Sequence, residues 1–553
     1  MPVGALFLFH DIEIIIILMD NQEKFYLKIG SAKDLSNPGQ KMLYRALEML
    51  PGILVWGTFG VLIFGSIFSP FATVTFIILF DLYWFLKTVY LTWHLRVSFK
   101  NLRQQSKIDW VGRLDELDLS ANSLGIRNWR KEVWHLVILP FYKEGYEVIK
   151  NTCEGLVHSN FPKERLIVVL SGEKRAGAEA EEIGKRIESE FASAFGKFLF
   201  TMHEDRPGEL AGKGANETWA ARRAKERIID ADKLPYEKII VSVFDIDTVA
   251  SANYFTKLTF AYLTVEKPLR TSFQPVPLFI NNIWEASAIS RVMAFSSSFW
   301  HLMNQMRPER LVSFSSHAFP FKSLVEMDFW QVNVVSEDSR IFWQGLLTFD
   351  GDWRVEPLLA LVSMDANVAE NFPSTLKNIY LQQRRWAYGA ADTPYFLFGF
   401  MHNKKIPLGT KIYWTFNMLE SFWGWATNSV IIFVSGWLPV LLGGGLFGTT
   451  VLAYNVPRLT QLIMSIAMFG IITSIYLTLK FLPPKPLTVG RHRYLFMVLQ
   501  WVMVPVTLVF NSLPAIEAQT RLMIGKYLGF WPTPKVRKGI QKVIFEEQKI
   551  SEV

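Results

Sequence analysis

Cysteine is all but missing from this chain, with one residue, Cys153, in 553. A single thiol cannot close an internal disulfide or build a thiolate zinc site, which excludes a disulfide scaffold and fits a reducing compartment. Cys153 itself reads as a small buried hydrophobe. Charge is also sparse, at 20% of residues, below the about 25% of typical soluble domains. The charges thin out toward both ends and gather in the middle. The nine histidines form no H-E-x-x-H pair, which removes the common zinc-hydrolase signature. Gly208–Lys213 falls one residue short of a phosphate-binding loop, and no Ser or Thr follows its lysine. There is no internal repeat and no low-complexity tract.

Apolar residues make up half the sequence and aromatics 14%. Mean hydropathy is +0.19, net charge +8 and pI about 9.2. Nucleic-acid binding would explain the basic balance. The basic residues flank apolar runs, however, and this favours the positive-inside excess of a protein facing anionic lipid, with no nucleic-acid partner.

Gly52–Phe80 carries no charged residue, and Phe71–Trp93 carries only Asp81 and Lys87. Crossing a bilayer takes about 20 apolar residues. Pro70 divides this stretch, so residues 51–95 read as a transmembrane helical hairpin. Lys24, Lys28, Lys33, Lys41 and Arg45 precede it, and Arg96, Lys100, Arg103 and Lys107 follow it. Both flanks are therefore expected on the cytoplasmic side. Farther on, Ser421–Pro457 suits one long or two short spans, and Leu459–Leu479 and Tyr494–Ile516 suit one each. The loop with Lys480, Lys485, Arg491 and Arg493 is basic, as is the tail with Arg521, Lys526, Lys535, Arg537 and Lys538. One crossing between them cannot leave both inside, so either one segment is re-entrant or the charge rule fails once; the tail is expected to be cytoplasmic. Ala5–Leu18 is too short and too charged for a span and lacks a signal peptide's basic start, pointing to a mis-assigned start upstream of Met19. The expected division is an N-terminal cytoplasmic segment (1–50), the hairpin (51–95), a soluble catalytic domain with interfacial helices near its end (96–410), a transmembrane region (411–516) and a basic tail (517–553).

The middle reads as α/β. His135–Phe141 is a short apolar run ended by Pro140, and Lys143–Val157 has helical spacing. Leu166–Leu170 and Lys238–Phe244 are β-branched runs, and Ala176–Phe195 is an amphipathic helix. Short apolar strands alternating with helices predict a mostly parallel sheet covered on both faces. Ligands on such sheets bind at the carboxyl ends of the strands.

Asp-x-Asp occurs at Asp230/Asp232, Asp245/Asp247 and Asp350/Asp352. The first follows a basic helix and reads as a solvated turn, and the last is a glycine turn. Only Asp245-Ile246-Asp247 ends an apolar strand, where period-two geometry puts both carboxylates on one side. Such a pair suits Mg2+ or Mn2+ carrying a diphosphate. Beyond it stands Ser336-Glu337-Asp338. Inverting sugar transfer needs a base for the acceptor hydroxyl proton, and Asp338 is the candidate, with Glu337 orienting it or touching the acceptor. Gln382-Gln383-Arg384-Arg385-Trp386 is a Q-x-x-R-W sequence. Its Arg385 suits neutralising a leaving diphosphate, and Trp386 suits walling a sugar site. On a helix, Gln382 and Arg385 share a face.

In chain order, Pro140 and Glu144, Gly212-Lys213-Gly214-Ala215-Asn216, Asp245-x-Asp247, Glu337-Asp338 and Gln382-x-x-Arg385-Trp386 resemble the membrane-integrated family 2 glycosyltransferases, the group of cellulose and hyaluronan synthases. The resemblance covers roughly residues 130–535. It implies a GT-A fold flanked by transmembrane helices, a UDP- or GDP-linked sugar donor, and a multi-pass protein of the plasma membrane with its catalytic domain cytoplasmic. Asp245 would contact the nucleotide and Asp247 the metal. Glu144 would lie near the base, Lys213 on the donor side, and Gln382, Arg385 and Trp386 at the diphosphate and acceptor. The chain departs from the family after the second strand, where Glu173 stands in for an expected aspartate. It departs again at Ser315–Phe319, where His317 is the candidate acceptor contact. The implied activity is an inverting, metal-dependent hexosyltransferase extending a glycan, with processive export. The alternatives are single addition to a lipid-linked acceptor, and a non-catalytic transporter or scaffold.

Overall fold

The computed structural model describes residues 24–534 except 121, 469, 485, 487–489 and 491. Ala5–Leu18 and the basic residues Lys485, Arg491, Lys535, Arg537 and Lys538 lie outside the described residues. Eight strands form one curled sheet in the order β3-β2-β1-β4-β7-β6-β8-β5. They are β1 (Trp134–Phe141), β2 (Leu166–Glu173), β3 (Lys197–His203), β4 (Ile239–Val243), β5 (Val249–Ala250), β6 (Thr271–Phe279), β7 (Ala318–Pro320) and β8 (Arg354–Met364).

The first half of the sheet is parallel, and its sequence explains why. Leu136 and Ile138 of β1 enter one apolar layer with Ile167, Val169, Ile239 and Val241. Val137 and Leu139 enter the opposite layer with Val168, Leu170 and Ile240. Strands apolar on both sides need cover on both sides, as parallel sheets require. The helix Lys213–Ala224 supplies Ala220, Ala221 and Ala224 to the first layer. The helices Tyr146–Val157, Ala178–Phe191 and Tyr254–Thr264 cover the second.

The second half departs from the expected parallel order. β7 runs antiparallel to both β4 and β6, β8 is parallel to β6, and β5 closes the edge antiparallel to β8. The sheet is therefore mixed. Pro140 does not end β1 but sits within it, paired with Ser171.

The helices Pro38–Phe68 and Pro70–Gln105, of 31 and 36 residues, are both long and apolar enough to cross a membrane. They meet at Ser69, because Pro70 has no N–H with which to continue the first helix and can only begin the second. At 1.5 Å per residue they reach roughly 46 and 54 Å, beyond the about 30 Å apolar core of a bilayer. Both thus extend past the predicted 51–95. Leu62 packs with Ile77 and Phe80, as a hairpin requires. The far end of the second helix enters the α/β body, where Leu95, Phe99 and Leu102 join a cluster with Val276 and Leu278 of β6.

The C-terminal apolar region is more broken than predicted. Ser421–Pro457 is divided among Leu408–Val434, Leu438–Leu442, Gly444–Gly448 and the start of Val451–Ala467. Leu408–Phe433 and Ser435–Leu442 count as a third crossing only as a pair bent by 47°. Leu459–Leu479 is shared between Val451–Ala467 and Gly470–Phe481, and Tyr494–Ile516 between His492–Leu499 and Val504–Met523.

Candidate active site

The candidate site forms where β4 ends and two helices begin. β4 stops at Val243, so Asp245 and Asp247 lie in the following turn rather than on the strand. The period-two expectation fails for that reason, and the two carboxylates take different partners. Asp245 accepts from Ser315 Oγ at 2.9 Å and lies 2.9 Å from Lys213 Nζ. Asp247 is buried and accepts from the Asp365 backbone N–H at 2.9 Å, while its own carbonyl accepts from Asn281 Nδ2.

Lys213 opens the helix Lys213–Ala224, and Glu337 and Asp338 open the helix Glu337–Thr348. Acidic groups in a first turn face the positive end of the helix dipole. The two helices come close because Gly214 has no side chain. A Cβ there would lie 3.0 Å from Glu337 Cβ and 3.2 Å from the Gln331 carbonyl oxygen. The Lys213 ammonium donates to both Asp338 oxygens at 2.8 and 3.0 Å. It also lies 3.3 Å from Glu217 Oε1 and 3.8 Å from Glu337 Oε1. Burial disfavours charge on Lys213, but Asp245, Asp338, Glu217 and Glu337 together outweigh it and hold its pKa well above the ordinary range.

Glu217 and Glu337 are buried, and neither oxygen of either carboxylate has a hydrogen-bond partner. Burial, and then the charge of Asp338, push the Glu337 carboxyl up to about 8 against the pull of Lys213 and Arg385. Burial likewise raises Glu217. One oxygen each from Glu217, Glu337 and Asp338 lie within 4.8 Å of one another, forming an acidic cluster of the kind that holds a metal ion. Hard carboxylate donors of this kind fit Mg2+ or Mn2+, and the four unbonded oxygens of Glu217 and Glu337 fit the same group. Asp245 and Asp247, the expected metal pair, do not belong to this trio.

The other predicted residues divide into three groups. Glu144 and Glu173 stand just after β1 and at the end of β2. Glu144 accepts from the Tyr142 N–H at 2.7 Å, Glu173 pairs with Arg175, and the Arg175 guanidinium lies 4.4 Å from the Tyr142 ring centre. Gln382, Arg385 and Trp386 lie on the helix Phe372–Ala387. Gln382 and Trp386 line a cleft with Phe279, Asp365 and Asn367. The charge of Arg385 favours the ionised form of Glu337, and its guanidinium stacks on Phe530 at 5.0 Å.

His317, the candidate acceptor contact, is the third group. It touches the cluster, 3.6 Å from Asp338. It is fully buried, however, with Nδ1 on the Phe314 carbonyl and Nε2 accepting from Trp330 Nε1, and burial pushes its pKa down to about 4. No polar edge of the ring is left for an acceptor. Sequence reasoning missed two residues. Glu217 was hidden in a helix whose composition reads as surface. Phe530, beyond the end of the last helix Val504–Met523, packs over Gly212, where a Cβ would lie 2.6 Å from its ring.

No protein-family model and no curated protein matches the chain. Among solved structures it is similar to the mannosyltransferase PcManGT from Pyrobaculum calidifontis in complex with GDP-Man and Mn2+, at 14% identity and a TM-score of 0.37, covering 77% of this chain and 96% of that one. It is also similar to TarS of S. aureus in complex with UDP-GlcNAc, at 14% identity and a TM-score of 0.30, covering 62% and 91%. Likeness at this level carries no conclusion about activity.

Proposed function

We propose that the chain is a membrane-bound inverting glycosyltransferase of the GT-A, family 2 type, moving a sugar from a UDP- or GDP-linked donor to an acceptor hydroxyl. The observation that carries this reading is the cluster at the end of β4, where the Lys213 ammonium lies 2.9 Å from Asp245 and 2.8 Å from Asp338. In the proposed reaction, Asp338 takes the acceptor hydroxyl proton as the hydroxyl oxygen attacks the anomeric carbon. The bond from that carbon to the diphosphate oxygen breaks, and its electron pair leaves with the nucleoside diphosphate. Lys213 and Arg385 neutralise the departing charge. A divalent cation, when bound, would add Lewis-acid neutralisation of the same diphosphate. Asp245 contacts the nucleotide, and Glu144 and Glu173 border its base and ribose. Trp386 and Gln382 border the sugar and the acceptor, a glycan or lipid-linked chain. Asp247 buttresses the turn that presents Asp245.

Elongation with export is the further part of the proposal; the helix Pro70–Gln105 joins the α/β body through Ser98, which donates to the Leu302 carbonyl oxygen. On this reading the catalytic body faces the cytoplasm of a plasma-membrane protein. The test is purified full-length protein given labelled UDP- and GDP-sugars with Mg2+ or Mn2+. Asp338→Asn is expected to lower transfer by about 10²–10⁴-fold, the usual worth of a general base. A ladder of products would support elongation, and one product would support single addition. Equal turnover in the variant and the parent would overturn Asp338 as the base, and no transfer from any donor would overturn the transferase reading.

A further inference from the structure

Two buried glutamates face one another beside the proposed base, and their environment needs a cause. Glu217 lies one helical turn after Lys213, with no exposure, and Glu337 is 1% exposed. All four of their carboxylate oxygens lack a hydrogen-bond partner. A buried acid without partners is costly, and two of them aimed at one point are costlier. The Lys213 ammonium offsets this only in part. Its short contacts go to Asp338 and Asp245, at 2.8 and 2.9 Å, while Glu217 and Glu337 stand at 3.3 and 3.8 Å.

We propose that Glu217, Glu337 and Asp338 form a divalent-cation site, of Mg2+ or Mn2+ class, in which the ion competes with the Lys213 ammonium for the same carboxylates. The donor set is all hard oxygen, which suits these ions and leaves coordination positions for water or phosphate. Glu217 supplies the element that an Asp-x-Asp pair alone would lack, a ligand from the helix carrying Lys213. The ion and the ammonium therefore act on one helix end. When the ion takes one Asp338 oxygen, Lys213 gives up that carboxylate, leaving its second oxygen open to an acceptor proton and the ammonium open to a diphosphate. The proposal rests on the transferase reading only for this consequence, not for the binding itself.

The test is Mn2+ titration of the full-length protein in detergent, followed by loss of the sharp spin-resonance signal of free Mn2+. Glu217→Gln is nearly isosteric and removes one buried charge; it is expected to weaken Mn2+ binding at least about 10-fold. Lys213→Met removes the competing charge and is expected to tighten binding by a similar factor. Asp247→Asn is expected to leave Mn2+ affinity within about twofold, because its carboxylate serves the Asp365 amide. Parental affinity in Glu217→Gln, weaker binding in Lys213→Met, or loss of binding confined to Asp247→Asn would each overturn the proposal. Absence of transfer from every labelled UDP- and GDP-sugar by the parent protein, with Mn2+ bound as described, would overturn the transferase reading and leave the cation site standing.

Discussion

At the scale of single residues, the site stores its character in how it charges a small buried volume. Glu337 ordinarily titrates near 4.5 and is held up to about 8, first by burial and then by Asp338. Between those values the folded chain keeps a proton that the unfolded chain releases. The folded state binds more protons in that window, so this group makes stability fall as pH rises through it, and it adds no slope below it. A full proton difference corresponds to about 1.4 kcal/mol per pH unit. Glu337→Gln cannot titrate, so in chelated buffer its melting temperature is expected to gain on the parent between pH 5 and pH 8. A gap that stays constant over that range would contradict the shift. None of this was legible in the sequence. Ser336-Glu337-Asp338 announces an acid pair but not that one member is buried and the other half-open, at 1% and 23% side-chain exposure. The helix Lys213–Ala224 hides Glu217 still better, since its Arg-rich sequence gives no sign that one acid faces inward.

At the scale of elements, the parts that local sequence dictates were readable and the parts that tertiary contacts dictate were not. β1, β2 and β4 are short, apolar and β-branched, and each is buried throughout or nearly so, so composition alone marks them. β6 carries Pro275 and Pro277, which weaken any strand reading, and it breaks register between Gln274 and Val276. β7 is three residues long, and β5 two. These strands exist because neighbouring segments pair with them, and their antiparallel course could not be drawn from the chain's alternation of strand and helix. The same distinction governs Gly214, whose missing side chain sets the distance between the helices bearing Lys213 and Glu337. Gly214→Val forces those helices apart. It is expected to lower sugar transfer by about 10²-fold, the effect of a misplacement on the order of 1 Å, at a stability cost of about 1–3 kcal/mol. Thermal melting and turnover measured on the same preparation separate the two effects. Undiminished turnover would show that this spacing does not set the geometry of the reaction.

At the scale of the whole molecule, the two long helices and the sheet body are one construction. Gly52 of the first helix lies against the C-terminal helix Val504–Met523, where a Cβ would come within 2.6 Å of Met523 Cβ, and Arg45 donates to the Leu522 carbonyl oxygen at 2.8 Å. The second helix ends inside the α/β body. A bilayer around the apolar faces would therefore hold the acidic cluster at a fixed height. The two apolar helices expected as a hairpin were legible in the sequence but their length was not, because charged ends such as Lys41 and Arg103 look like flanks while continuing the helices. Such a hairpin must return to the side from which it entered. Cys153, the single cysteine, is buried and its thiol is pushed up to about 12 by that burial, so it stays silent to maleimides and new cysteines can be read against it. Ser36, Ser69 and Lys100 are exposed before the first helix, at the turn and near the end of the second. In sealed vesicles, Ser36→Cys and Lys100→Cys are expected to react with an impermeant maleimide from one face, and Ser69→Cys from the opposite face, with the pattern exchanged when the vesicles are inverted. Reaction of all three from one face would mean that the helices lie on the bilayer rather than across it.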